Sequence, residues 1–225
     1  MGISQEHLAA LPLWYVAFLL SLTCHEASHA LVAMWGGDQT AYHSGQVTLN
    51  PLPHMRREPF GTVLVPLISF FIGGYMIGWG SAPYDPLWEQ RHPRRAALMA
   101  CAGPAANFLL ALVAILIMRI VGRTGMGRSG VAALHGVAGA SSVEALFFFL
   151  NILFMLNLLL GCFNLIPVAP LDGHTAIGVL LPEKLFLRWL EFARSPMLSL
   201  LGLLLAWRMV DYIYYPVLSF VTRLL

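Results

Sequence analysis

Between Leu8 and Trp35 the chain has no Lys, Arg or Asp, and its one acidic residue there is Glu26. Read as a helix, such a run is long enough to cross the ~30 Å of hydrocarbon in a bilayer. Four more uncharged or nearly uncharged runs follow: Gly61 to Trp79, Ala96 to Met118, Ala145 to Leu171, and Met197 to Val221, the last interrupted by Arg208 and Asp211. Backbone amides inside lipid must be satisfied within the protein, so these runs are expected to be helices. Composition agrees. Only 11% of residues are charged and 58% are hydrophobic, where soluble domains carry about 25% charge. The expected fold is an all-α polytopic membrane protein with five transmembrane helices, or six if the short apolar piece Thr175 to Leu181 joins a neighbour. It reads as a single membrane-embedded domain over 1–225, with a core from about 8 to 181 and a C-terminal span from about 196 to 222.

The breaks between runs carry their own expectations. Trp35-Gly36-Gly37-Asp38 ends the first span, which covers roughly Leu8 to Met34. No basic segment or cleavage site precedes it, so it reads as a first span and not as a removed signal peptide. Gln46-Val47-Thr48-Leu49 is β-prone and lies between Gly45 and Asn50-Pro51, which suggests a small strand or hairpin beside the first helix. Pro66 and Gly73-Gly74 should bend or thin the second run. Small residues at Gly103-Pro104-Ala105-Ala106 permit close helix approach, and Asn107 can hydrogen-bond across that interface. Pro167 and Pro170 should end the helix of the fourth run before Asp172-Gly173. Arg208 and Asp211, three apart, can pair on one helix face.

The chemistry sits inside the first run, at His25-Glu26-Ala27-Ser28-His29. On a helix His25 and His29 share a face, so two imidazoles can bind one metal ion. Glu26 is three residues from His29 and can reach the same side as a base. Composition alone would produce such a match roughly 0.01 times in a chain of this make-up. An acid at mid-bilayer costs on the order of 3 kcal/mol, so a core helix with incidental histidines explains the motif poorly.

A catalytic zinc takes three protein ligands and keeps one position open. Two candidates stand for the third ligand. Asp172 follows a long uncharged run and a double-proline break that can place its carboxylate inside the bundle, although Asp-Gly is also an ordinary surface turn. Asp211 is the rival, with Arg208 close by to engage it instead. His43 and His54 lack ligand-type spacing and read as interfacial polar residues. Cys24, Cys101 and Cys162 lie in apolar runs and imply packing, not a disulfide framework.

Taken together, His25-Glu26-Ala27-Ser28-His29, Gly103-Pro104-Ala105-Ala106-Asn107 and Asn164-Leu165-Ile166-Pro167-Val168-Ala169-Pro170-Leu171-Asp172-Gly173 resemble, in type, order and spacing, three signatures of the site-2 protease family of intramembrane zinc metalloproteases. Thr48-Leu49-Asn50-Pro51-Leu52-Pro53-His54 is similar to the compact bacterial and archaeal branch without a PDZ domain. The resemblance implies one Zn2+ per chain held by His25, His29 and Asp172, with Glu26 as general base and proton shuttle. It implies a substrate- or oxyanion-binding role for Asn164, and more weakly for Asn107. The implied reaction is hydrolysis of a peptide bond in or near the transmembrane segment of a single-span membrane protein, in a prokaryotic cell membrane.

Two other classes compete with this reading. A metal-handling transporter would space ionisable residues along several helices, whereas here they cluster. An inactive relative that binds membrane helices would not need Glu26. A net charge of +2, with basic residues placed between apolar segments, argues against a nucleic-acid partner.

Overall fold

A computed structural model of the chain describes residues 5–123, 142–193 and 195–223. Its elements are helical: α1 (Gln5–Trp35), α2 (Thr40–His43), α3 (Pro51–Arg57), a π-helical turn (Phe60–Leu64) that runs into α4 (Val65–Gly73), α5 (Pro86–Arg91), α6 (Pro93–Arg123), α7 (Ser142–Asn164), α8 (Gly173–Ala176) followed by a 3₁₀ turn (Ile177–Val179), α9 (Glu183–Ala193) and α10 (Pro196–Arg223). This is an all-α membrane fold. Among the described residues three helices are long and apolar enough to cross a bilayer, namely Leu8–Trp35, Pro93–Gly122 and Ser142–Asn164. A fourth crossing is counted if Glu183–Phe192 and Met197–Met209 form one broken span. The second apolar run falls short. Its helix stops at Gly73, where Gly74 turns left-handed with φ 76° and bonds back to Phe70. The apolar helix Phe60–Gly73 then reaches only about 21 Å at 1.5 Å per residue.

The strand or hairpin expected at Gln46–Leu49 does not form, and no strand exists among the described residues. Gly45 takes φ 69°, and the Gln46 amide bonds back to Ala41 O at 2.9 Å. Asn50 opens a helix instead of ending a strand: its side chain accepts from Leu52 N, and Pro51 fills the first helical position. A β-prone tetrapeptide needs a partner backbone, and these flanking residues bond locally instead.

The chain divides into two compact units. The first comprises Met1–Thr23, Asn50–Ser81 and Leu109–Asn157. Within it the buried Asn157 amide donates to Ser21 Oγ at 2.7 Å and to Leu153 O at 2.8 Å. Tyr15 donates to Thr62 O at 3.3 Å. Residues after α4 return across the π-helical turn, where Trp79 N bonds Gly61 O at 3.1 Å. That approach requires glycine at 61, since a Cβ there would overlap the Trp79 carbonyl.

The second unit comprises Cys24–Leu49, Ala82–Phe108 and Leu158–Leu225. Here the end of α1 is fastened to α5 and the start of α6. Trp88 Nε1 and Arg95 Nη1 both donate to Gly36 O, at 3.1 and 3.0 Å. Buried Asp38 accepts from Thr40 N and Oγ1 and from Asp85 N. Trp88 packs with Ala33, Ala96 and Met99; truncating such a buried indole costs on the order of 3–5 kcal/mol. Further on, α7 ends at Asn164, since Pro167 supplies no N–H and disfavours helix in the residue before it. The turn that follows packs Ile166 and Leu171 on Ala206 of α10. Phe186 and Leu190 of α9 bury against Ala97 of α6.

Candidate metal centre

All the donor atoms belong to the second unit. The C-terminal half of α1 presents His25 and His29 on one face, both almost fully buried, with Nε2 atoms 3.0 Å apart. From the turn after α7, Asp172 Oδ2 comes within 3.0 Å of His25 Nε2 and 3.3 Å of His29 Nε2. Among the described residues these three form the group able to hold a metal ion. The rival ligand Asp211, and with it the expected Arg208–Asp211 pair, has its side chain outside the described residues.

Whether the trio fits a cation is decided by its protons. His29 Nδ1 lies 2.7 Å from Met99 O, and His25 Nδ1 lies 2.6 Å from Asn107 Oδ1. Both partners are acceptors, so both Nδ1 atoms carry the hydrogen and both Nε2 atoms present lone pairs. Asp172 Oδ2 is buried with no hydrogen-bond donor, which is the same statement seen from the carboxylate. Three lone-pair atoms therefore converge, an arrangement that a divalent cation relieves and a single shared proton does not. Donors about 2.0 Å from one tetrahedral zinc would lie roughly 3.3 Å apart, close to the observed spacing. Two neutral imidazoles and one carboxylate are also a donor set that zinc favours.

Local sequence explains each placement. Helical spacing sets the two histidines. Gly173 sets the aspartate: a Cβ there would overlap Ile166 O, so only glycine lets α8 start this tightly against the turn. The α8 amides of Thr175 and Ala176 bond Asp172 O at 2.9 and 2.8 Å, and Trp189 Nε1 of α9 donates to His174 O at 2.8 Å. Glu26 is buried, at 6% exposure, yet stands outside the ligand trio. Asn164, half-buried at the end of α7, is placed where the chain leaves the helix toward Asp172.

Other candidates fall elsewhere. His43 is exposed and pairs with Gln39 Oε1. His54 is buried in α3, within the first unit. The three cysteines are unpaired thiols and supply none of the converging donors. Asn107 is fully buried, with Oδ1 against His25 Nδ1. Sequence reading missed Met99, whose contribution is a backbone carbonyl; Gly103 was read as permitting close helix approach, and the approach it permits is that of the two imidazoles. The four-residue spacing of Gly103 and Asn107 was the available signal for a shared face.

A candidate metal centre of two imidazoles and a carboxylate, carried with the buried Glu26 on apolar helices, is what a membrane metalloprotein requires. Residues 13–201 match the profile of Peptidase family M50. The chain is 33% identical over 176 residues to "Putative zinc metalloprotease YwhC" of Bacillus subtilis, covering 78% of this chain and 72% of that one. It is 29% identical over 160 residues to "Putative zinc metalloprotease Rip2" of Mycolicibacterium smegmatis and to the protein of the same name in Mycobacterium tuberculosis, in each case 71% of this chain and 54% of the relative. It thus spans about half the length of the Rip2 proteins. No solved structure matches. The chain belongs to peptidase family M50 and is an intramembrane zinc metalloprotease.

Proposed function

We propose that His25, His29 and Asp172 hold one zinc ion and that Glu26 is the general base for hydrolysis of a peptide bond in or near the transmembrane segment of a single-span membrane protein. The observation that carries this reading is the convergence of three lone-pair atoms within 3.0–3.3 Å. Zinc, when bound, polarises the scissile carbonyl and eases loss of a proton from water. Glu26 takes that proton and returns it to the leaving amine. Asn164 binds the substrate backbone or the developing oxyanion where α7 gives way to the turn. The substrate helix must unwind before cleavage, because a helical amide is shielded by its own hydrogen bonds.

The whole chain acts as one membrane-embedded domain of a prokaryotic cell membrane, with a core from about 8 to 181. A five- or six-span arrangement would draw its remaining crossings from the broken pair Glu183–Phe192 and Met197–Met209 and from the shorter apolar helix Phe60–Gly73 extended by its flanking apolar residues. A metal-transporting role would call for ionisable side chains spread along several spans; between Leu8 and Trp35 the charged or imidazole side chains of α1 are His25, Glu26 and His29, all within one stretch of the helix.

The decisive assay uses purified full-length protein in detergent or vesicles, a single-span substrate, added zinc, and a parallel chelator arm. Cleavage should stop with chelator and return with zinc. Glu26→Gln should lower turnover by about 10²–10⁴-fold, the usual worth of a general base, with zinc content unchanged. Full activity in that variant would remove Glu26 from the mechanism.

A further inference from the structure

The geometry points to Met99, Gly103 and Asn107 as a positioning stripe on α6 that shapes the metal centre through the two histidines. The inference rests on the assignment of His25, His29 and Asp172 as zinc ligands. The three residues are spaced four apart, so they share one face of α6. Each meets the histidine pair in a different way.

The two ends of the stripe select tautomers. Met99 O accepts from His29 Nδ1, and Asn107 Oδ1 lies 2.6 Å from His25 Nδ1. A neutral imidazole has one N–H, and whichever nitrogen donates leaves the other as the ligand. Fixing both protons on Nδ1 commits both Nε2 atoms to the cation and holds the two ring planes, which stand at 81° to each other. Asn107 is 0% exposed, so no water can stand in for its amide oxygen. The middle of the stripe makes room. A Cβ on residue 103 would lie 2.6 Å from His25 Nε2 and closer still to His29 Nε2. The hydrogen of glycine keeps open the side on which the two lone pairs meet. By contrast Gly122, on the same helix, has nothing within 4 Å of such a Cβ.

A stripe that served only helix packing would tolerate Asn107→Leu, which keeps volume and removes the acceptor. The test uses the full chain in detergent, loaded with Zn2+ or with Co2+ as a spectroscopic substitute. Metal affinity is read by chelator competition, ligand geometry by the visible Co2+ spectrum, and folding by thermal unfolding. Asn107→Leu should weaken metal binding 10–100-fold, the usual cost of losing a partner behind a ligating histidine, and shift the Co2+ bands. Asn107→Asp, which keeps an acceptor, should recover at least tenfold of that loss. Gly103→Ala should weaken binding by tenfold or more, while Gly122→Ala leaves affinity and spectrum unchanged. Wild-type affinity and spectrum in Asn107→Leu and Gly103→Ala would overturn the inference, as would an Asn107→Asp variant that folds yet binds no better than the leucine form. A wild-type chain that takes up no stoichiometric metal would instead refute the underlying ligand assignment.

Discussion

Two pieces of the second unit supply the three converging donor atoms by opposite means. His25 and His29 stand on an unbroken helix, and their separation follows from helical geometry alone. Asp172 stands on a non-helical turn, held by Gly173, by α8 amides on its carbonyl, and by the packing of Ile166 and Leu171 on Ala206. A helix offers two ligands cheaply because its backbone bonds are already made. The turn must satisfy its own backbone groups before it can aim a carboxylate. Precision in the first case is local, and in the second it is borrowed from neighbouring elements.

The contrast can be broken at its base. His29→Ala and Asp172→Ala should each weaken zinc binding by roughly 10²–10³-fold, if ~10–16 kcal/mol is shared over four ligand positions. Chelator competition reads both, and wild-type affinity in Asp172→Ala would strike the turn from the site. The next largest effect belongs to Gly173→Ala. Its Cβ cannot fit against Ile166 O, so the turn must shift. We expect a stability loss of about 1–3 kcal/mol, the typical cost of overpacking, seen as a lower unfolding midpoint, together with weaker zinc. A variant that loses stability yet keeps wild-type zinc affinity would show the aspartate to be aimed by something other than its turn.

The smallest effect is expected from Trp189→Phe, which removes the bond to His174 O while keeping most of the ring packing. A neutral hydrogen bond contributes about 0.5–1.5 kcal/mol, so the unfolding midpoint should drop slightly and zinc affinity should change less than tenfold. A larger fall in affinity would mean that α9 steers Asp172 directly, which would sharpen the contrast in favour of distant control.

How much of this was legible beforehand follows the same division. The apolar runs announced α1, α6 and α7, because hydrophobic length is a property of contiguous residues. The β-prone tetrapeptide at Gln46–Leu49 misled, since strand formation depends on a partner backbone that no local pattern reveals. The run from Gly61 to Trp79 misled in a milder way, because Gly74 adopts a left-handed conformation and stops the helix short. Asn107 was visible as an intramembrane polar residue, but its partner was not.

What the amino-acid order determined by itself is whatever repeats every few residues: helices of membrane length, two imidazoles on one face, and glycine and asparagine one turn apart on α6. Tertiary structure decided the rest. It brought Asp172 across from a distant turn, and it placed the Met99 carbonyl behind His29. That last contact has no signature in sequence, since every residue carries a carbonyl and only packing determines which one meets an imidazole.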